Sequence, residues 1–328
     1  MMSFEVGAIH RSTPHLLADL VELYLLLSLD DSISRSDVSE LINEGVISSE
    51  ELDEIGEQET DPAATGAELH SMLDLQMDDL WSQLLYRERN LSDCYPFEIQ
   101  GQLLTKKSLE GLSLNRARVY KSLLACSRLR SFEHRIRNRW AKLFTKISKE
   151  AMKSLLPGNA TVHIFDANSD DRREVYGTNL REALIVLANK LSFLHDEVSI
   201  GEQSSSGDYG IDLVGFYQFS DGASGEYYIL GQCGAQETEW PSKTLESHPA
   251  SIRGVINMAH DCTNTMFTPI CYRQSSGRWV NARPTGGTLV IDRPRIMKLI
   301  SSEDRLNSII TNQSFIDFEE EMRNIRVA

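Results

Sequence analysis

The stretch from Gly207 to Gly234 holds an acid and an amide, Asp212 and Gln232, that could share one metal ion. Two runs rich in β-branched and aromatic residues flank a run of turn-forming residues, which predicts a β-hairpin. The predicted strands are Ile211–Phe219 and Glu226–Cys233. If Phe219 pairs with Gly225, antiparallel counting places Asp212 opposite Gln232 on one face of the hairpin. The sequence therefore predicts oxygen ligands for a divalent cation at this position.

This hairpin resembles the active-site hairpin of the PD-(D/E)xK nucleases, the restriction-endonuclease-like superfamily, and in particular its Mrr-like branch. In that branch an aspartate follows Gly-Ile or Gly-Val, as Asp212 follows Gly210-Ile211, and the next strand ends in Gln-x-Lys. Gln232-Cys233-Gly234 has this ending except for the lysine. The resemblance covers Val162 to Leu299. It implies that Asp212 is the main metal ligand and that Lys243, in the following segment, replaces the missing lysine.

A helix before the hairpin is expected to supply a further acid. Residues Asn179 to Leu194 have leucines at helical spacing, and Glu182 lies on the side of Ile185 and Val186, where an unpaired carboxylate would be costly to bury. The resemblance implies that Glu182 is a second metal ligand, bound directly or through water. A structural role is the alternative, because Asn179 as N-cap and Glu182 three residues later form a capping box.

The resemblance implies a metal-dependent DNA endonuclease. Phosphodiester hydrolysis concentrates negative charge on the phosphoryl oxygens, and Mg²⁺ or Mn²⁺ bound by Asp212, Glu182 and Gln232 would neutralise it. Lys243 would stabilise the developing charge. The alternative is a catalytically decayed nuclease-fold subunit that binds DNA or scaffolds a larger defence complex, since Gly234 occupies the position of the family's lysine.

Charge is divided unevenly along the 328-residue chain, whose net charge is −15. Residues 1–100 hold 4 basic and 22 acidic residues, whereas residues 101–150 hold 13 basic and 3 acidic residues. The basic block predicts a helix from Leu114 to Leu155 that contacts DNA phosphates without reading sequence. The candidate DNA-binding residues are Arg116, Lys121, Arg135, Arg137, Arg139 and Lys142. An equally open alternative is that this basic face pairs with the acidic N-terminal part of the chain.

The patterns predict an α+β or α/β protein with three parts. Residues 1–112 are expected to form an acidic helical interaction domain, with residues 1–100 all helical, and residues 113–157 a basic helical connector. Residues 158–328 are expected to form the nuclease-like domain, with a mixed central β-sheet flanked by helices. The acidic domain is expected to contact a second copy of the chain or another protein subunit.

Several other function classes lack support in the sequence. The five cysteines show no C-x-x-C pairing, which argues against a disulfide framework and a zinc site. No Walker A, G-x-G-x-x-G, H-E-x-x-H or G-x-S-x-G motif occurs. No run of eighteen apolar residues occurs, and the N-terminus has no secretory signal pattern. We therefore expect a soluble cytoplasmic protein without a membrane partner, acting in antiviral or anti-plasmid defence.

Overall fold

A computed structural model of the protein describes residues 14–43, 66–235, 249–280 and 287–325. The chain divides into two compact units. The first unit comprises residues 1–141, 269–282 and 306–328, and the second comprises residues 142–268 and 283–305. Both the N-terminal part of the chain and two later segments thus contribute to the first unit.

Helices and strands alternate along much of the chain. In chain order the helices are α1 (Pro14–Leu27), α2 (Arg35–Asn43), α3 (Gly66–Asn90), α4 (Gly111–Ser127), α5 (His134–Lys153), α6 (Leu180–Lys190), α7 (Glu197–Gly201), α8 (Pro249–Ile252), α9 (Arg293–Leu299), α10 (Glu303–Ile310) and α11 (Gln313–Asn324). The strands are β1 (Ser32–Ser34), β2 (Phe97–Gln100), β3 (Leu103–Lys106), β4 (Thr161–Ile164), β5 (Leu194–His195), β6 (Leu213–Tyr217), β7 (Tyr227–Cys233), β8 (Ile256–Asn257), β9 (Thr263–Phe267) and β10 (Thr288–Ile291).

The first unit contains a small antiparallel sheet in the order β1-β3-β2. The prediction that residues 1–100 are all helical is therefore wrong. The strands that it missed are three or four residues long and half-buried, so their sequences carry little alternation of polar and apolar residues. The pairing that defines them joins Ile33 to Leu104, which is a contact between distant parts of the chain.

The predicted helix from Leu114 to Leu155 is interrupted. Helix α4 ends at Ser127, a short 3-10 turn covers Leu129–Ser131, and α5 begins at His134. Phe132, between the two helices, is buried and its ring packs 4.5 Å from that of Trp140. Burial of this aromatic residue favours a turn at a point where helical periodicity alone predicted a continuous helix.

The core of the first unit contains a fully buried ionic cluster. The Arg87 guanidinium lies 2.7 Å from the Asp19 carboxylate and 2.8 Å from that of Glu22. The hydroxyls of Tyr95 and Tyr120 donate to the two Glu22 oxygens. Because all these side chains are almost completely buried, the carboxylates depend on these partners for their charge.

The second unit is built on a mixed five-stranded sheet in the order β10-β9-β7-β6-β4. Strands β7, β9 and β10 run parallel to one another, whereas β6 is antiparallel to both β7 and β4. The expected mixed central sheet of an α+β protein is thereby confirmed. The carboxyl ends of β4, β7, β9 and β10 and the amino end of β6 consequently lie along one edge of the sheet.

Helices pack on both faces of this sheet. On one face, apolar residues of α6 form a core with residues that alternate along β6 and β7, including Val214, Phe216, Tyr228 and Leu230. On the other face, the end of α5 approaches so closely that a Cβ on Gly215 would lie 2.5 Å from Leu156 and one on Gly231 would lie 2.6 Å from Met152. The two glycines therefore permit this close helix–sheet contact.

Candidate functional site

The β6–β7 pair has the register that the sequence predicts. Leu213 pairs with Gly231 and Tyr217 pairs with Tyr227. The paired residues end there, and Asp212 lies one residue before β6, beside the end of β7 that carries Gln232. The strands are shorter than predicted at the turn, because β6 ends at Tyr217 and β7 begins at Tyr227.

A tight turn directs the chain into β6 just before Asp212. The Asp208 side chain accepts a hydrogen bond of 2.9 Å from the Gly210 amide, and its carbonyl accepts one of 3.1 Å from the Ile211 amide. Tyr209 and Gly210 both have positive φ angles, of 61° and 73°. Since a non-glycine residue in this region costs on the order of 1–2 kcal/mol, the turn at Tyr209 must be stabilised by its surroundings, which include packing of its ring against the core of the second unit.

Asp212 is held by three strands at the sheet edge. Its Oδ2 accepts a hydrogen bond of 2.7 Å from the Cys233 amide. Its backbone amide donates to the Gly231 carbonyl at 2.9 Å, and its carbonyl accepts from the Phe165 amide at 2.7 Å. The half-buried carboxylate is therefore fixed in position by the backbone, as a ligand or catalytic group requires.

Gln232 and Gly234 lie at the end of β7. Gln232 is buried, with 6% of its surface exposed, and pairs with Met266 of β9. A Cβ on Gly234 would lie 2.7 Å from the Cε methyl of Met266. A lysine at the family's position would thus require the flexible end of the Met266 side chain to move. Lys243 lies outside the described residues, so its predicted role stays a prediction.

Glu182 lies in the first turn of α6, and it is exposed. The Asn179 side chain caps the helix by accepting a hydrogen bond of 2.9 Å from the Arg181 amide. Our inference that Glu182 is placed where burial would demand a cation is therefore wrong, because the side chain reaches water. Its carboxylate approaches Gly177, with Oε2 3.6 Å from the position of a Cβ there. Its role as a second metal ligand stays a prediction.

Two acids at the same sheet edge were not singled out as site residues from the sequence. Asp166 follows β4, whose last residue Ile164 pairs with Leu213, and it interacts electrostatically with Arg172 and Cys233. Asp292 follows β10, is completely buried and caps α9. Only the order of strands in the sheet reveals that these acids share an edge with Asp212.

The neighbouring thiol is unsuited to nucleophilic chemistry. Burial, and to a smaller extent the nearby Asp212 carboxylate, raises the pKa of the Cys233 thiol well above its usual range. Thr145 and Ser148 of α5 act in the opposite direction, with smaller effects on this pKa. Because the thiolate is the reactive form, the chemistry of this edge depends on its carboxylates and its amide.

The donor set at this edge is compatible with a hard cation that keeps several water ligands. Mg²⁺ is commonly bound by one or two carboxylates together with waters and substrate oxygens, and the edge offers the Asp212 carboxylate beside the Gln232 amide. Within the described ranges, no group of three or more His, Cys, Asp and Glu side chains is arranged to bind a metal. Water and substrate oxygens would therefore have to complete the coordination.

The candidate DNA-binding residues differ in their surroundings. Arg116 forms an ion pair with Asp93, and Arg139 forms one of 2.5 Å with Glu321. The Arg116 pair is a contact with the acidic N-terminal part of the chain, as the alternative reading of the basic face expected. Arg135 and Lys142 are exposed on α5 and form no ion pair with any residue that the structure describes. Arg137 and Lys121 are half-buried.

No protein-family model, curated protein or solved structure matches the chain. Among the residues that the structure describes, no helix is both long enough and apolar enough to cross a membrane. The fold and the edge around Asp212 therefore provide the grounds for a functional proposal.

Proposed function

We propose that the protein is a metal-dependent DNA endonuclease whose active site is the sheet edge that carries Asp212 and Gln232. The observation that carries the proposal is that Asp212, just before β6, donates its amide hydrogen to the carbonyl of Gly231, the residue before Gln232 in β7. The hydrogen bond from the Cys233 amide to Asp212 supports it, because a reactive carboxylate must keep a fixed orientation.

Asp212 and Gln232 would hold Mg²⁺ or Mn²⁺, with Glu182 as a further ligand through water. The bound cation would supply positive charge that stabilises the phosphoryl oxygens in the transition state. Asp212 provides the charged oxygen and Gln232 a neutral one. Lys243 would provide the positive charge that the family places at position 234. Asp166, on the adjacent strand end, would orient the attacking water.

DNA would contact the exposed cations of α5 that have no acidic partner among the described residues, Arg135 and Lys142. Their contacts would be to phosphates, which gives affinity without sequence readout. The proposal extends to a cytoplasmic role in defence against foreign DNA, with a second copy or a partner subunit bound through the acidic N-terminal region.

One observation favours a second function, that of a DNA-binding or scaffolding subunit without activity. The space beside Gly234 is taken by the Met266 methyl, and Glu182 is exposed rather than directed into a buried site. Both features are expected of a nuclease fold that has lost its catalytic constellation.

Cleavage of plasmid and linear duplex DNA, with Mg²⁺ or Mn²⁺, tests the proposal. Wild-type protein should cleave, and Asp212→Asn should lower the rate by at least about 100-fold. Asp221→Asn, in the exposed loop of the same hairpin, is the matched control and should cleave like wild type. If the wild-type protein binds DNA but cleaves none with either metal, the second function is favoured.

A further inference from the structure

The first unit contains a pocket of about 420 Å³ between the end of α1 and helices α4 and α11. A volume of this size is typical of sites for small organic molecules. The pocket is lined by leucines within and just after α1, by basic residues of α4, and by Phe318 and Met322 of α11. The pocket belongs entirely to the first unit and has no part in the proposed nuclease site.

Positive charge in this pocket exceeds its negative charge. Glu319 is the acid in its lining, and both Glu319 oxygens accept hydrogen bonds from Arg118, at 2.6 and 2.7 Å. Lys121 forms no hydrogen bond or ion pair with its side chain among the described residues. Burial, and then repulsion from Lys106, lowers the pKa of Lys121. The Glu319 carboxylate raises this pKa but is itself hydrogen-bonded to Arg118, so an anion beside Lys121 would further favour the charged ammonium.

A lysine near the end of α1 could have the structural role of stabilising the last carbonyls of this helix, but another lysine already has that role. Cations near a helix C-terminus stabilise its last carbonyls. Here Lys106 Nζ donates a hydrogen bond of 2.9 Å to the Ser28 carbonyl. Lys121 is half-buried in the pocket without such a bond. The structure therefore leaves its ammonium available to a ligand.

The remaining lining favours an apolar ligand body. Leu26 and Met322 are half-buried in the pocket lining, and Leu29 is 82% exposed beside them. The Ser28 hydroxyl is already hydrogen-bonded to Asp30. A nucleoside would need several polar partners for its base and sugar, whereas an alkyl or aryl group needs apolar contact.

We propose that this pocket binds a small monocarboxylate with an apolar body, its carboxylate on Lys121 and its body against Leu26, Leu29 and Met322. A carboxylate matches the single ammonium, because the planar guanidinium of Arg118, which would suit a phosphate, is engaged by Glu319. Arg323, exposed at the same pocket, adds to the attraction of an anion.

Calorimetric titration of the full-length protein with octanoate tests this inference. Octanoate should bind, and 1-octanol and acetate, which lack the charge and the apolar body respectively, should each bind at least about tenfold more weakly. Lys121→Met should weaken octanoate binding by about tenfold or more, because a charge-assisted hydrogen bond is lost. Lys107→Met, at an exposed lysine of the same unit, is the matched control and should bind like wild type.

Three further variants keep the test decisive if Lys121→Met folds poorly. Lys121→Arg retains the positive charge and should restore most of the octanoate affinity, whereas Lys121→Gln should not. Leu29→Ser, at an exposed position, should weaken octanoate binding without affecting the folded state. The inference is overturned if octanoate does not bind at millimolar concentration, if 1-octanol binds equally well, or if Lys121→Gln retains wild-type affinity.

Discussion

The Asp212 carboxylate accepts a hydrogen bond of 2.7 Å from the backbone amide of Cys233, across the pair formed by β6 and β7. The bond fixes the direction of the carboxylate at the edge where β4, β6 and β7 meet. It also gives Asp212 two separable roles. The acceptor oxygen contributes to stability, and in the proposed active site the negative charge would contribute to cation binding and catalysis.

Replacing Asp212 should therefore separate stability from activity. Asp212→Asn keeps an oxygen that can accept from the Cys233 amide, so we expect its free energy of unfolding to stay within about 1 kcal/mol of wild type. Asp212→Ala leaves that amide without this partner and should cost about 1–3 kcal/mol. Urea denaturation measures the difference. Equal stabilities of the Asn and Ala variants would contradict the stabilising role of this hydrogen bond.

Gly234→Lys should test whether a lysine at the position that the PD-(D/E)xK nucleases use adds activity to the proposed site. The Cβ would meet the Met266 methyl at 2.7 Å, and this flexible side chain can move, so we expect a loss of stability of about 1–2 kcal/mol. If the site lacks only this positive charge, the variant should cleave DNA at least about tenfold faster than wild type. Gly234→Met is the control for bulk without charge, and an equal gain from it would contradict the electrostatic reason.

Residue patterns predicted local features of the site well. The alternation and turn residues of the hairpin were sufficient to predict the register of β6 and β7, because an antiparallel register follows from one correct pair. The N-cap at Asn179 was likewise predicted from the sequence, since capping depends on neighbouring residues alone.

Features that depend on distant parts of the chain were not predicted. Asp166 lies at the edge of the proposed site only because β4 pairs with β6. This strand pairing could not be predicted from the sequence. The exposed position of Glu182 depends on how α6 packs, and the strand pairing of Ile33 with Leu104 joins residues that are 71 positions apart in the chain. In each case a long-range contact overrides what local periodicity indicates.

The exposed cations of α5 should contribute more to DNA affinity than the cations that form ion pairs. Replacing Arg135 and Lys142 together by Gln should lower the salt dependence of duplex binding by about one unit of slope for each lost phosphate contact. The matched pair Arg116→Gln and Arg139→Gln removes residues already bound to Asp93 and Glu321 and should change the slope less. Fluorescence anisotropy at several salt concentrations measures both. A larger effect of the second pair would contradict the assignment.

His15 should make the protein sensitive to mild acid. Burial lowers the pKa of His15 from 6.5 to about 4, so the folded state holds the neutral ring while the unfolded chain takes up a proton. Stability contributed by the neutral ring is present above pH 6.5 and is lost as the pH falls from 6.5 towards 4, by about 3 kcal/mol.

His15→Phe should reduce this loss, because phenylalanine cannot be protonated and preserves an aromatic ring beside Tyr272. Thermal denaturation of both proteins between pH 4 and pH 7 checks the expectation. A wild-type curve no steeper than that of the variant would show that His15 does not control the acid response.

The most direct measurement of the proposed active site is the position of Mn²⁺ in crystals of the protein soaked with that ion, located by anomalous scattering. The proposal predicts an anomalous peak at the sheet edge, in contact with the Asp212 carboxylate and the Gln232 side chain, that is absent from crystals of Asp212→Asn. A saturating soak that leaves this edge without a peak, or a peak that persists in Asp212→Asn, would contradict it.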